Sequence, residues 1–213
     1  MLGQLLHNAG IDTLIIEHRS QEHVLSRVRA GVLEQGTVDL LDHIGVSERL
    51  HAEGLVHEGF DLCVRGELRH IDLTVGTAGK SVLVYGQTEV TRDLMDARDT
   101  AGGKSVYEAE QVNVHDFDGH QPSVRYRKDG QEVEVTCDFI AGCDGYHGVT
   151  RSTIPPNAIS IYERVYAMGW LGVLSETPPV SEELIYVNSE RGFALCSMRS
   201  HTRSRYYVQC AAD

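Results

Sequence analysis

An amphipathic stretch, a glycine, a short apolar run and an acid follow one another at the start of this chain, and few folds accommodate that order. Residues 2–9 (Leu-Gly-Gln-Leu-Leu-His-Asn-Ala) read as the end of an amphipathic helix, with Gly10 placed to cap it. Thr13-Leu14-Ile15-Ile16 then reads as a short buried strand ending at Glu17. This is the second half of a βαβ nucleotide-binding unit, in which an acid after the second strand bonds a ribose hydroxyl. The acid of such a unit lies roughly 20 residues beyond its glycine-rich loop. Counting back from Glu17 puts that loop before residue 1, and no GxGxxG occurs in the sequence. The expectation is a piece of a longer protein that lacks the first strand and phosphate loop. An ordinary helix–strand pair with a surface glutamate fits the same residues equally well.

A second stretch, Cys137 to Arg151, points the same way. Phe139-Ile140-Ala141-Gly142-Cys143 is apolar and small, as a buried strand is, and it turns at Asp144-Gly145. A strand that ends in a carboxylate and a glycine brings backbone close to a bound nucleotide. Asp-Gly is also one of the commonest turn pairs, so a routine turn remains the alternative.

Composition narrows the partners. The net charge of −12 argues against nucleic-acid and membrane-surface binding, and no apolar run reaches membrane-spanning length. No signal peptide is visible, and the five cysteines are odd in number with no CxxC pair, which suits free thiols in the cytoplasm rather than disulfides or a metal cluster. Only three of the 19 basic residues are lysines. Arginine's planar fork suits paired contacts to carboxylate and phosphate, so local arginine clusters mark where an acidic protein would handle anions.

Two such clusters stand out. Arg27 and Arg29 are two apart, and on an extended segment they point the same way, beside a phosphate or in solvent. Val38 to Leu50 follows as one amphipathic helix. Short strands come next: a hairpin of residues 60–64 and 68–73 around Arg65-Gly66-Glu67, preceded by His57, and a strand at 81–85. Gln87 precedes a helix from Glu89 to Arg98, and further strands fill 104–116 and 122–138 around Lys128-Asp129-Gly130. After Pro155-Pro156 the chain is rich in strands: 167–174, 184–188, 192–198 and 205–209. Strand residues two apart share a face, so Ser197 looks the same way as Arg199, and Arg205 the same way as Tyr207, across the turn at 200–203. A hydroxyl, two guanidiniums and a phenol on one face fit a small planar anion such as an aromatic carboxylate. A polar outer sheet face fits them too. No nucleophilic triad or metal-ligand spacing is present, and no metal is expected.

Taken together, residues 29–36 (Arg-Ala-Gly-Val-Leu-Glu-Gln-Gly), 85–94 (Tyr-Gly-Gln-Thr-Glu-Val-Thr-Arg-Asp-Leu), 140–145 and 191–209 carry a resemblance. Over nearly its whole length the chain resembles the 4-hydroxybenzoate 3-monooxygenases, bacterial class A flavoprotein aromatic hydroxylases. The resemblance implies an α/β (α+β) fold: a Rossmann-like FAD-binding domain, here residues 1–160, with a mostly antiparallel β-sheet substrate domain, here 161–213, truncated at both ends. It implies FAD as cofactor and NADPH as co-substrate, with NADH the alternative because His18 to His23 depart from the segment that selects NADPH. Reduced flavin and O2 would form a hydroperoxide that hydroxylates 4-hydroxybenzoate to 3,4-dihydroxybenzoate. By resemblance, Glu17 binds the adenosine ribose, Arg29 and Gln87 contact FAD, and Asp144-Gly145 serves both cofactors. Arg27, Arg29 and His147 match contacts to the nicotinamide nucleotide. Ser197, Arg199 and Tyr207 match the group that holds the substrate carboxylate, and Arg205 one that influences flavin position. Tyr186 matches the phenol that helps ionise the substrate hydroxyl, and His57 the outer end of that proton relay. A homodimer is implied for the full-length protein. A non-catalytic nucleotide- or aromatic-acid-binding module, a hydroxylase of another phenol and a flavin-free dehydrogenase are the competing readings.

Overall fold

A computed structural model describes residues 1–27 and 29–212, so Val28 of the double-arginine stretch lies outside the described residues. In chain order the elements are α1 (Leu2–Asn8), β1 (Leu14–Ile16), α2 (Gln21–Ser26), β2 (Val32–Glu34), α3 (Gln35–His43), α4 (Glu48–Glu53), β3 (Leu55–His57), β4 (Gly59–Val64), β5 (Glu67–Asp72), β6 (Val82–Val84) and α5 (Gln87–Thr100). They continue with β7 (Lys104–Val106), β8 (Glu110–His115), β9 (Ser123–Lys128), β10 (Gln131–Thr136), α6 (Val149–Thr153), β11 (Gly169–Ser175), β12 (Leu184–Ser189), β13 (Gly192–Ser200) and β14 (Arg203–Cys210). Two compact units result, one of residues 1–11, 25–102 and 165–213, the other of 12–24 and 103–164. None of the helices formed by the described residues is long and apolar enough to cross a membrane.

The first unit has one apolar core. Val38 and Leu41 of α3, Leu50 of α4 and Val90 of α5 pack with Leu33, Ile44, Val46, Leu83 and Tyr85, and Leu94 and Ala97 continue the α5 stripe at helical spacing. The single helix expected over 38–50 is instead two. The chain leaves α3 through Gly45, whose φ of +73° is left-handed and costs little only without a Cβ, and re-enters a helix at Glu48. The break turns Leu50 inward, where it is fully buried. The buried Tyr85 hydroxyl donates to Asp93 (2.7 Å), and Arg49 bridges Asp93, Glu89 and Glu53. A buried phenol without an acceptor would leave its hydroxyl unsatisfied, so Asp93 completes this edge of the core.

Two sheets complete this unit. β2, β6 and β3 form a small antiparallel sheet. The larger sheet has six strands in the order β11-β14-β13-β12-β4-β5, antiparallel except where β12 meets β4. It takes two strands from before the expected boundary at residue 160 and four from after it. The hairpins at 59–72 and 192–210 form where the turn residues place them, the second closing on the Ser200–Arg203 pair.

In the second unit β1 and β7 pair in parallel, and β8, β9 and β10 form an antiparallel sheet with its turn at Asp129-Gly130. The strand expected at 137–143 does not form. The Cys137 N–H donates to the Pro122 carbonyl (2.9 Å), but the residues after it join no ladder among the described residues, and Phe139 is 92% exposed. An apolar run becomes a strand only where a neighbouring strand satisfies its backbone groups.

Candidate functional site

In the first unit the segment before β2 is pinned to the start of α5 at three points. Thr88 Oγ1 donates to the Arg27 carbonyl (2.9 Å), the Gln87 N–H to the Ala30 carbonyl (2.9 Å) and the Tyr85 N–H to the Gly31 carbonyl (2.9 Å). The two most distinctive sequence stretches, 29–36 and 85–94, are therefore neighbours, extending the β2–β6 ladder. The Arg27, Arg29 and Gln87 side chains all remain exposed on this rim.

The Arg29 carbonyl is also the meeting point of two other guanidiniums. Arg199 Nη2 donates to it at 2.8 Å, and Arg205 Nη1 donates to the same oxygen. Arg205 is buried and lies with its guanidinium carbon 4.4 Å above the Tyr207 ring. Among the described residues neither arginine has a carboxylate partner, and no ion pair joins them to Asp or Glu. Burial and the neighbouring positive charge of Arg205 push the Arg199 guanidinium below its ordinary value. Two like charges sharing one neutral acceptor are stabilised by an anion that takes up their free N–H groups.

The sheet register shows which side chains accompany them. Ser197 is directly opposite Arg205, and Tyr207 is opposite Leu195, which is in turn opposite Tyr186. Directly paired residues share a face, so Tyr186, Ser197, Arg205 and Tyr207 look to one side of the sheet. A bulge between Met198 and Ser200 shifts Arg199 out of the simple alternation. The Tyr186 ring is held edge-on by Phe60 (5.4 Å) and tilted against Phe193 (6.1 Å), with its phenol free of any protein partner among the described residues.

His57, in β3, is 2% exposed, and neither ring nitrogen has a hydrogen-bond partner among the described residues. Burial pushes its pKa down, against the opposing pull of Glu183 and Glu182. Glu183 itself accepts the Glu58 and Gly59 N–H groups (3.2 and 3.0 Å). The unfolded chain takes up a proton at about pH 6.5 that the folded chain refuses, so stability falls as pH drops from there through the depressed folded value. In His57→Gln the acid-side loss of the urea midpoint should be shallower than in the unsubstituted chain; equal slopes would show that His57 does not titrate this way.

The second unit carries the remaining residues. Glu17 closes β1, with its N–H on Val106 and its carbonyl on the Ala109 N–H, while one carboxylate oxygen accepts the Arg19 N–H at 2.7 Å. Asp144 holds the turn into α6, accepting Thr150 Oγ1 (2.6 Å) and the Thr150 N–H (2.9 Å). The Thr150 hydroxyl, and then its N–H, hold the Asp144 carboxyl below the usual carboxylate range. Gly145 has φ +74°, and beyond it the His147 ring stands edge-on to Tyr146 (4.9 Å), over which Arg151 lies at 4.2 Å. The sequence reading missed Thr150: the N-cap of α6 is Gly148, which has no capping side chain, so an acid four residues before it gives no ordinary capping signal. It also missed Glu183 and the Arg29 carbonyl, for which no local signal exists.

The whole of this chain, residues 1–213, matches the family model described as FAD binding domain. The chain belongs to the FAD binding domain family. It is 56% identical over 209 residues to the p-hydroxybenzoate hydroxylase of Acinetobacter baylyi (strain ATCC 33305 / BD413 / ADP1), which covers 98% of this chain and 52% of the relative. The chain thus spans about half the length of that curated relative. Among solved structures it is similar to the p-nitrophenol 4-monooxygenase PnpA of Pseudomonas putida DLL-E4 (TM-score 0.83, 15% identity, 99% of this chain and 54% of that one). It is also similar to CmlS, a flavin-dependent halogenase (TM-score 0.76, 17% identity, 98% and 39%). At those identities the likeness shows a shared fold. The mixed α/β architecture expected from the sequence is that of this FAD binding domain, and FAD is the cofactor such domains bind.

Proposed function

We propose that this FAD binding domain serves an aromatic hydroxylase that converts 4-hydroxybenzoate to 3,4-dihydroxybenzoate with NADPH and O2, NADH being the alternative donor. The reaction consumes one nicotinamide hydride, one proton and one O2, and yields the catechol acid, the oxidised nucleotide and water. The observation that carries the reading is the pair Arg199 and Arg205 on the Arg29 carbonyl, two cations with no carboxylate partner among the described residues, beside a sheet face bearing Ser197, Tyr207 and Tyr186. A benzoate carboxylate supplies the missing negative charge, and a hydroxyl across the ring would suit the free phenol of Tyr186. The identity to a p-hydroxybenzoate hydroxylase supports the same substrate.

The residues present fit the cofactor by their chemistry. In the first unit the exposed Arg29 guanidinium and Gln87 amide, beside the start of α5, suit the phosphates and polar edges of FAD, and Arg27 suits the nicotinamide nucleotide. In the second unit the Glu17 carboxylate suits ribose hydroxyls, and Asp144, Gly145 and His147 offer a carboxylate, close backbone and an imidazole for nucleotide. When bound, FAD supplies the redox chemistry and the activation of O2. The protein holds the carboxylate with Arg199, Ser197 and Tyr207, and Tyr186 draws the proton of the substrate phenol. A phenolate ring is the better nucleophile, and His57, kept neutral by burial, is a base suited to passing that proton on. Five free thiols fit a reducing cytoplasm.

The experiment is NADPH and NADH oxidation by the FAD-loaded protein, with and without 4-hydroxybenzoate, and the mass of the aromatic product. Stimulation by 4-hydroxybenzoate and a gain of one oxygen atom are expected. Stimulation only by a different phenol reassigns the substrate, and oxidation with no oxygen insertion overturns the hydroxylase reading.

A further inference from the structure

We infer that Gly31 is a positioning residue for Arg199: the space left by its missing side chain admits the guanidinium that binds the substrate carboxylate. The role of that carboxylate rests on the proposed function; the positioning itself rests on geometry alone. A Cβ at Gly31 would lie 1.3 Å from Arg199 Nη1, 2.5 Å from Cζ and 3.2 Å from Nη2. No contact survives at such distances, so a side chain at 31 and the guanidinium of Arg199 exclude one another.

The backbone of Gly31 cannot move aside cheaply. Its carbonyl accepts the Tyr85 N–H, the Ala30 carbonyl accepts the Gln87 N–H, and the next residue, Val32, is paired with Val84 in the ladder. Arg199 reaches the spot from β13 on a long flexible side chain. The arginine therefore gives way, and in doing so it leaves the Arg29 carbonyl. The φ of Gly31 lies outside the left-handed region, so alanine suits the backbone there; glycine is needed for space. Substitution at this position is thus a change in anion binding with little change in folding. Arg205 keeps its own bond to the Arg29 carbonyl, so one of the two guanidiniums stays in place.

The test compares Gly31→Ala, Arg199→Ala and the double variant in the FAD-loaded protein. Three measurements are made: the dissociation constant for 4-hydroxybenzoate by calorimetry, the thermal midpoint, and the crystal structure of Gly31→Ala without substrate. Gly31→Ala should weaken 4-hydroxybenzoate about tenfold or more, leave the thermal midpoint within a few degrees, and show Arg199 withdrawn from the Arg29 carbonyl. The double variant should bind no more weakly than Arg199→Ala alone, because both changes remove one contact. Multiplying penalties, an unchanged affinity, or Arg199 still on the Arg29 carbonyl would each overturn the inference. Should the unsubstituted protein bind no hydroxyaryl carboxylate, the substrate reading fails, while withdrawal of Arg199 in the variant crystal still supports the positioning role.

Discussion

Replacing Arg199 with alanine should weaken 4-hydroxybenzoate binding between about 10-fold and about 150-fold. A hydrogen bond to a charged group contributes roughly 1.5–3 kcal/mol, and each 1.4 kcal/mol is about tenfold in affinity. The loss falls on the carboxylate: the neutral amide of the same ring should lose much less, because it never satisfied the charge. Arg199→Lys should lie between the two, since an ammonium keeps the charge but not the planar fork. Arg205 remains on the Arg29 carbonyl, so binding is weakened rather than abolished. Equal affinity of the alanine variant and the unsubstituted protein, by calorimetry, would remove Arg199 from the carboxylate role.

The largest effect on stability should come from Leu50→Ala. Leu50 is 0% exposed, among α3, α5 and β6 residues that make up the core of the first unit. Deleting a buried leucine to alanine costs about 2–5 kcal/mol, through lost burial and the cavity left behind. For a chain of this length each kcal/mol lowers the thermal midpoint by about 2–4 °C, so a fall of roughly 5–20 °C is expected in a calorimetric scan. A fall under about 2 °C would mean that the core collapses around the gap. Neighbouring Arg49 makes a useful contrast. Its pairs with Glu53 and Glu89 are partly exposed and contribute little, and Asp93, its third partner, keeps the Tyr85 hydroxyl when Arg49 is removed, so the loss of Arg49 should cost less than that of Leu50.

Much of the architecture was legible in the sequence because it is coded locally. Arg65-Gly66, Asp129-Gly130 and the turn at 201–202 close hairpins where the turn residues stand. The alternation along 192–198 and 205–209 puts Ser197, Arg199, Arg205 and Tyr207 on a common face; the Ser197–Arg205 pairing agrees with this, whereas the bulge between Met198 and Ser200 takes Arg199 out of the alternation. The failures have physical causes as well. The helix expected over 38–50 runs through Gly45, since apolar spacing continues on either side of a turn whose backbone only the glycine permits. Apolarity predicts the strand at 137–143, but a strand is a property of a pair, and this run has no partner among the described residues.

What the sequence by itself determined is the set of parts: the helix–strand start, the hairpins, and which polar side chains alternate onto one sheet face. Turns and periods act over two to four residues, so their information sits in neighbouring positions. Only the tertiary structure decided that Arg199 and Arg205 meet on one carbonyl some 170 residues earlier in the chain, and that His57 is buried with neither ring nitrogen partnered among the described residues. Those contacts depend on how two ladders are placed against each other. A backbone oxygen carries no side-chain signature, and the glycine at 31 is legible as a residue but not as the space Arg199 enters, so the meeting point that defines the candidate anion site is decided by tertiary structure.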